Sequence, residues 1–373
     1  MKKAVLLIYF ICCSLVPGLN SAWAANKDIK VQSPNGKLEL TIRLRDTLSY
    51  SLQCGNENLI RNAHIGLELA NGEMLGKMPQ LLQKRTKATT ENITSPHYRF
   101  NSFTTSYNEV NLKLKGDYGV VFRAYNEGVA YRIYTTFKTD LEIRDEIAEF
   151  NFPKDYTAYL PYSTNPKNPF AMAFQNVYDV APLSKASNTL AFLPATVDYG
   201  KGMKLTILES DLEAYPGMFV QSQGTKKSLK GVFAKLPSAT DQNAWRKQEY
   251  VTERGESIAR VSGNRAFPWR ILAVSEKDTD MPVNNMVYAL ATPNRIGDCS
   301  WVKGGKVAWD WWNDWGISGV DFKAGINMNT YKHYIDFASE NGIEYIVLDE
   351  GWYKPSSGNM MQVIPELNLP ELV

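Results

Sequence analysis

Apolar and polar positions alternate strictly over Leu38, Leu40, Ile42 and Leu44, and again over Leu48, Tyr50, Leu52 and Cys54. A period of two sends every second side chain to one face, so both runs read as half-buried strands. Ser33-Pro34-Asn35-Gly36 before them has tight-turn chemistry. The texture continues: Leu112 and Leu114 lead into Val120-Val121-Phe122, Tyr125-Asn126-Glu127-Gly128 turns the chain, and Val129, Tyr131 and Ile133 alternate after it. Further strands fit residues 205–208 and 269–274, and no long stretch before residue 290 sustains the 3.6-residue helical period. Short strands separated by turns over such a length predict a large antiparallel sandwich.

The pattern changes near residue 300. Val307 to Trp312 reads as a buried strand ending in Trp309-Asp310-Trp311-Trp312. Asn329 is placed to cap a helix whose apolar positions Tyr331, Tyr334, Ile335 and Ala338 follow i, i+3, i+4, i+7 spacing, and Gly342 is placed to stop it. Ile343 to Leu348 is a second apolar strand, leading into Asp349-Glu350-Gly351-Trp352. Strand, helix, strand calls for parallel pairing. Glu366 to Val373 opens a further helix. One such unit neither closes a barrel nor covers both faces of a parallel sheet, so the native product is expected to continue.

Length and composition sharpen this picture. A chain of 373 residues exceeds one ordinary core, so at least two domains are expected. Lys plus Arg number 41 and Asp plus Glu 39, a net charge of +2 that gives no electrostatic case for nucleic acid or an anionic membrane. Aromatic residues make up 12%, a richness that suits sugar stacking and equally a large β core. Lys2 and Lys3, the apolar run Ala4 to Val16 and Ala22-Trp23-Ala24 together make a cleavable secretory signal over 1–24, which predicts a periplasmic or secreted protein with no membrane insertion of the mature chain. Cys12 and Cys13 leave with that signal, and Cys54 and Cys299 carry neither metal nor redox spacing. His64, His97 and His333 are scattered, so zinc spacing and a nucleophile–His arrangement are both missing. There is no glycine-rich phosphate loop or dinucleotide fingerprint.

Several blocks together resemble glycoside hydrolase family 97. They are Lys303 to Asp314 (KGGKVAWDWWND), Gly319 to Lys323 (GVDFK), Tyr334 to Gly342 (YIDFASENG) and Glu344 to Trp352 (EYIVLDEGW), with Phe122 to Tyr131 (FRAYNEGVAY), Glu209 to Met218 (ESDLEAYPGM) and Phe267 to Ile271 (FPWRI) upstream. The AWDWWNDW and LDEGW wording resembles the retaining α-galactosidase branch more than the inverting α-glucosidase branch. The resemblance implies a multidomain β plus α/β chain. Its parts are an amino-terminal antiparallel β-super-sandwich over 25–290, a linker over 291–306, and the first βαβ part of a (β/α)8 catalytic barrel over 307–373, truncated there. It also implies calcium near the active site and action on terminal α-linked sugars. The α-glucosidase activity of the same family and a non-catalytic carbohydrate-binding role remain the rival readings.

Glycoside cleavage needs two carboxyl groups, about 5–5.5 Å apart for retention and about 6.5–9.5 Å for inversion. The resemblance places the nucleophilic Asp and the acid/base Glu on later barrel strands, so no catalytic residue is expected within these residues. Asp349 and Glu350 stand at the carboxyl end of a barrel strand, where active sites gather. The resemblance assigns them hydrogen bonds from the terminal sugar, with axial O4 the discriminating hydroxyl; the plain alternative is that one of them caps the following loop. Alternation sends Asp310 and Trp312 one way and Trp309 and Trp311 the other, which makes Asp310 and Trp312 substrate-binding candidates while at least two of the three rings pack the structure. Trp352 is a further pocket-wall candidate, and Asp314 and Asp321 suit loop geometry. For calcium, the matching stretch is Phe174-Gln175-Asn176, with Gln175 where a Glu is expected. A carbonyl oxygen can still ligand the ion, but a full charge is lost, and Asp179 is a substitute candidate.

Overall fold

The computed structural model describes residues 28–94 and 98–373. The secretory signal over 1–24, its Cys12 and Cys13, and His97 lie outside the described residues. Two large antiparallel sheets face each other. One, nine-stranded among the described residues, runs in the order Ile29–Gln32, Leu38–Leu44, Leu48–Cys54, Glu57–Leu69, Leu141–Asn151, Ser228–Phe233, Met218–Ser222, with Met74–Leu75 and Ala259–Val261 pairing alongside. The other, ten-stranded among the described residues, has Met203–Ser210, Trp269–Ser275 and Gly128–Thr136 at its centre and Leu81–Thr94 at one edge.

The alternation explains why these strands pair as they do. Leu38, Leu40 and Ile42 stand opposite Cys54, Leu52 and Tyr50, so the register places both apolar sets on one face. That face is the core: Leu38, Leu40, Ile42, Tyr50 and Leu52 are at most 1% exposed. Each such side chain contributes about 1.5–3 kcal/mol by leaving water. The opposite sheet answers with Val120, Phe122, Val129, Leu205, Ile207 and Leu272 in the same cluster. Gly128 closes the Tyr125–Gly128 turn at φ +152°, and a Cβ there would stand 2.5 Å from the Leu272 carbonyl oxygen. Only glycine fits that approach.

The two sheets are also joined by charge. Arg270 is 1% exposed. Its Nε and Nη2 each donate at 2.7 Å to the Glu146 carboxylate of the facing sheet, and its Nη1 donates at 2.6 Å to Glu209 Oε2. Burial pulls the guanidinium down, but the Glu146 and Glu209 carboxylates more than offset it and hold Arg270 charged. Burial pushes the Glu209 carboxyl above its usual range.

A helical turn, Met286–Leu290, packs Met286 and Leu290 under Trp269 and Tyr125 on the outer face of the ten-stranded sheet. The chain then runs through exposed residues to a parallel pair, in which Val307, Ala308 and Trp309 stand opposite Tyr345, Ile346 and Val347. The Met328–Glu340 helix lies between them in sequence and packs Tyr334 and Ala338 against Ala308. This is the expected βαβ unit, with two shifts. The helix cap is Asn327, whose side chain accepts from the Thr330 amide at 3.0 Å, and Asn329 lies inside the helix. The first strand ends at Trp309, because Asp310–Asn313 tightens into a 3-10 turn. Gly342, at φ +62°, ends the helix as expected, and the last helix is the short Leu369–Leu372. Cys54 and Cys299 are both free.

Candidate active-site rim

The parallel pair brings Asp310 and Asp349 together at its carboxyl end. Asp310 is 1% exposed. Its Oδ2 accepts from the Tyr331 hydroxyl at 2.8 Å, and its Oδ1 accepts from the Trp311 amide at 2.6 Å and the Asp349 amide at 3.1 Å. Burial, reinforced by the bond to Asp310, pushes the Tyr331 phenol far above its usual range, so it stays a donor. Asp310 therefore ties the first strand, the helix and the second strand end to one carboxylate.

This corrects the expectation that Asp310 and Trp312 share a pocket-facing side. Alternation stops where the 3-10 turn begins, and the two side chains diverge: Asp310 is buried behind the strand ends, while Trp312 is 79% exposed. Trp312 stands 6.0 Å from Trp309, ring to ring and tilted by 30°. Trp309 also has a role that sequence reasoning missed, since its indole Nε1 donates to Asp349 Oδ2 at 2.7 Å. The other Asp349 oxygen accepts from the Glu350 amide at 2.7 Å. Each carboxylate oxygen has two lone pairs, so Asp349 keeps acceptor capacity. Glu350 is bridged by Arg246, and both side chains are 34% exposed. Trp352 is half-buried and meets Tyr353 edge-to-face at 5.3 Å.

Two acidic side chains thus project from the Leu348–Gly351 turn, one fixed by an indole and one by a guanidinium, beside an exposed tryptophan. This set can accept hydrogen bonds from neighbouring hydroxyls while a ring face covers an apolar patch. Tyr331 was legible only as an apolar helix position, and its hydroxyl had no signal of its own. Arg246 lies more than a hundred residues upstream of its partner, and only its place beside Trp245 in a polar turn set it apart.

Other candidates fall elsewhere. Asp314 takes φ +52° and closes the 3-10 turn through its amide to the Trp311 carbonyl at 3.0 Å, which is loop geometry as expected. Asp321 is exposed. His64 pairs with Glu149 at 3.1 Å, and His333 lies against Phe322. Gln175 is exposed in a loop, Asp179 is exposed on a sheet-edge strand, and among the described residues no three His, Cys, Asp or Glu converge as a metal site. Among the described residues, Gln175 and Asp179 therefore have no cluster of carboxylates around them that would hold calcium by itself. A cleft of about 540 Å³ over the outer face of the ten-stranded sheet, lined by Tyr159, Tyr178 and Lys204, includes none of the rim residues.

A β-sandwich that feeds a parallel β/α unit with acidic strand ends defines a sandwich-plus-barrel class of chain. The Glycosyl-hydrolase 97 N-terminal profile matches residues 31–293, the Glycoside hydrolase 97 profile matches residues 311–373, and the chain belongs to glycoside hydrolase family 97. A retaining alpha-galactosidase of Bacteroides thetaiotaomicron is 40% identical over 380 residues, covering 100% of this chain and 56% of that protein. A probable retaining alpha-galactosidase of Streptomyces bingchenggensis is 24% identical, covering 95% and 50%. The chain spans about half the length of these relatives. Among solved structures, a family 97 enzyme from Pseudoalteromonas sp. strain K8 in complex with acarbose superposes with a TM-score of 0.76 at 22% identity, over 92% of this chain and 52% of that one. A beta-arabinopyranosidase superposes with a TM-score of 0.67 at 19% identity, over 86% and 50%. These structures share the fold. Among the described residues no helix is long and apolar enough to cross a membrane.

Proposed function

We propose that this chain serves the release of terminal α-linked galactose with retention of configuration, and that its own share is recognition of the terminal sugar. Asp349 and Glu350 accept hydrogen bonds from sugar hydroxyls, Trp312 covers a ring face, and Trp352 closes one side. Asp310 holds the rim from behind. No catalytic residue is assigned to this chain. The observation that carries the reading is the paired carboxylates at the second strand end, held by Trp309 and Arg246 beside the exposed Trp312. The 40% identity to a retaining alpha-galactosidase supports galactose over glucose.

A hydrogen bond to a charged acceptor contributes about 1.5–3 kcal/mol, and an epimer that leaves the acceptor unpaired loses that and more. If axial O4 bonds to this pair, galactose binds at least about 10-fold more tightly than glucose. The reading includes export, on the strength of residues 1–24. It also includes calcium, on the family resemblance alone; no step here passes through the metal.

The test is calorimetry of the chain with galactose and glucose, joined to hydrolysis of 4-nitrophenyl α-galactoside and α-glucoside with and without chelator. Preference for galactose supports the reading. Binding or hydrolysis of the glucose series alone replaces it with an α-glucoside role, and sugar binding without hydrolysis fits a chain that supplies recognition only.

A further inference from the structure

Residues 237–254 form a hairpin that belongs to neither large sheet: among the described residues Pro237–Gln242 pairs only with Glu249–Arg254. Almost every residue of both strands is exposed or half-exposed, and neither face meets a core. A two-stranded hairpin with no buried face is marginal in water, so its persistence rests on its ends. At its base the Leu236 amide donates to the Ser257 carbonyl at 2.8 Å. At its tip the Asn243 side chain accepts from the Trp245 and Arg246 amides at 2.9 and 3.1 Å, and the Lys247 amide returns to the Asn243 carbonyl at 2.8 Å. The turn is thus closed by its own backbone, which aims Trp245 and Arg246 outward.

The tip touches the rim at Glu350 and the loop that follows it at Gly358. Arg246 bridges Glu350, and Lys247 lies so close to Gly358 that a Cβ there would stand 3.2 Å from the Lys247 Cβ. The Arg246 guanidinium also stacks over the Trp245 ring at 4.6 Å, which covers one indole face and restrains its rotation. Trp245 is nevertheless 57% exposed. A restrained and exposed tryptophan, next in sequence to the Arg246 that bridges the rim carboxylate Glu350, has the makings of a stacking platform.

We propose that the hairpin tip is the part of the site that reads the sugar attached to the terminal one. Trp245 stacks on the pyranoside ring of that penultimate unit, and Arg246 acts through Glu350 as a positioning residue. The ligand class is an α-linked oligosaccharide of at least two pyranose units, with the terminal unit on Asp349 and Glu350. The proposal rests on the reading of the rim as a terminal-sugar site.

Calorimetry with galactose and with melibiose, on the whole chain and on Trp245→Ala, Trp245→Phe, Arg246→Ala and Arg246→Lys, tests it. An aromatic contact of this kind changes affinity by about 2- to 10-fold. Melibiose is expected to bind the parent chain more tightly than galactose by that factor. Trp245→Ala is expected to erase the difference, and Trp245→Phe to retain most of it. Arg246→Ala is expected to weaken both sugars, with recovery in Arg246→Lys, which a purely structural role would not give. An unchanged melibiose preference in Trp245→Ala overturns the platform, and equal loss in Arg246→Ala and Arg246→Lys overturns the positioning role. A parent chain that binds glucose but not galactose sinks the galactose reading alone, and maltose in place of melibiose then decides the hairpin's part. A parent chain that binds neither series overturns both.

Discussion

Asp310 is the place where recognition and architecture can be separated by experiment. Its carboxylate receives three donors: the Tyr331 hydroxyl, the Trp311 amide and the Asp349 amide. Tyr331 is 0% exposed and Asp310 1%, so their contact has no access to water. Asp310→Ala leaves these donors without a partner at about 1–3 kcal/mol each, with the half-buried amides at the low end, or about 4 kcal/mol in total. Asp310→Asn differs in kind. The amide oxygen can still accept from the two backbone donors, and the Tyr331 hydroxyl can rotate to accept from the new NH2. What is lost is charge assistance, and removing a buried charge from a low-dielectric site offsets part of that loss. The net cost is about 1 kcal/mol.

The segment has little reserve, since Ala308, Tyr334 and Ala338 are the buried apolar residues of its cluster. Hydrogen exchange at the Asp349 and Ala308 amides is the direct measure. Asp310→Ala is expected to abolish protection there, whereas Asp310→Asn lowers it about 10-fold or less and keeps galactose binding within a few-fold of the parent. Were Asp310→Asn to retain protection yet lose the sugar, the carboxylate would be a ligand contact and the positioning argument would fail. Equal damage from both substitutions would likewise refute it.

Two further predictions concern the frame. Arg270→Met strands Glu146 and Glu209 between the sheets and is expected to cost about 3–5 kcal/mol in thermal or urea unfolding, and a loss below about 1 kcal/mol would mean that the triad is not a staple. Glu344 Oε2 accepts from the Lys306 amide at 2.7 Å, and that bond holds its carboxyl below the usual range. Its folded pKa is depressed, so its contribution is present above the unfolded value and lost as pH falls through the folded one. Exchange protection at Lys306 should drop on acidification below the ordinary glutamate range, and Glu344→Gln should flatten that dependence.

The sandwich was legible because a strict period of two leaves one choice of face, and the Leu38/Cys54 and Leu40/Leu52 register shows both runs obeying it. The same rule failed at Asp310 for a local reason. Its side chain bonds to the very next amide, Trp311, and a short acidic side chain that captures neighbouring backbone competes with the strand ladder. The cap shifted from Asn329 to Asn327 because apolar spacing fixes the helix face but not its first residue, and both positions offer the same side chain. The bridge from Arg246 to Glu350 had no periodic signature, since it depends on where a hairpin with no buried face comes to rest.

The Glu209–Met218 loop shows how the sandwich governs the chain that leaves it. Glu209 accepts from the Met218 amide at 3.1 and 3.0 Å and so closes the loop on itself while it binds Arg270. That anchor fixes Ser210, whose hydroxyl donates to the Val287 carbonyl at 2.8 Å, and Asp211, which accepts from the Thr292 amide at 3.0 Å. Glu213 then meets Arg295, but with 48% and 70% of those side chains exposed the pair is worth at most about 1 kcal/mol. The surface ion pair is therefore not what orients the exit from the sandwich. The Ser210 and Asp211 bonds to the backbone of the departing chain do that, because the loop that makes them is pinned from inside by Arg270. The same logic ranks the contacts at the rim. Asp310 and Tyr331, fully enclosed, set where Asp349 stands, whereas the half-exposed Arg246 adjusts Glu350 without holding the fold.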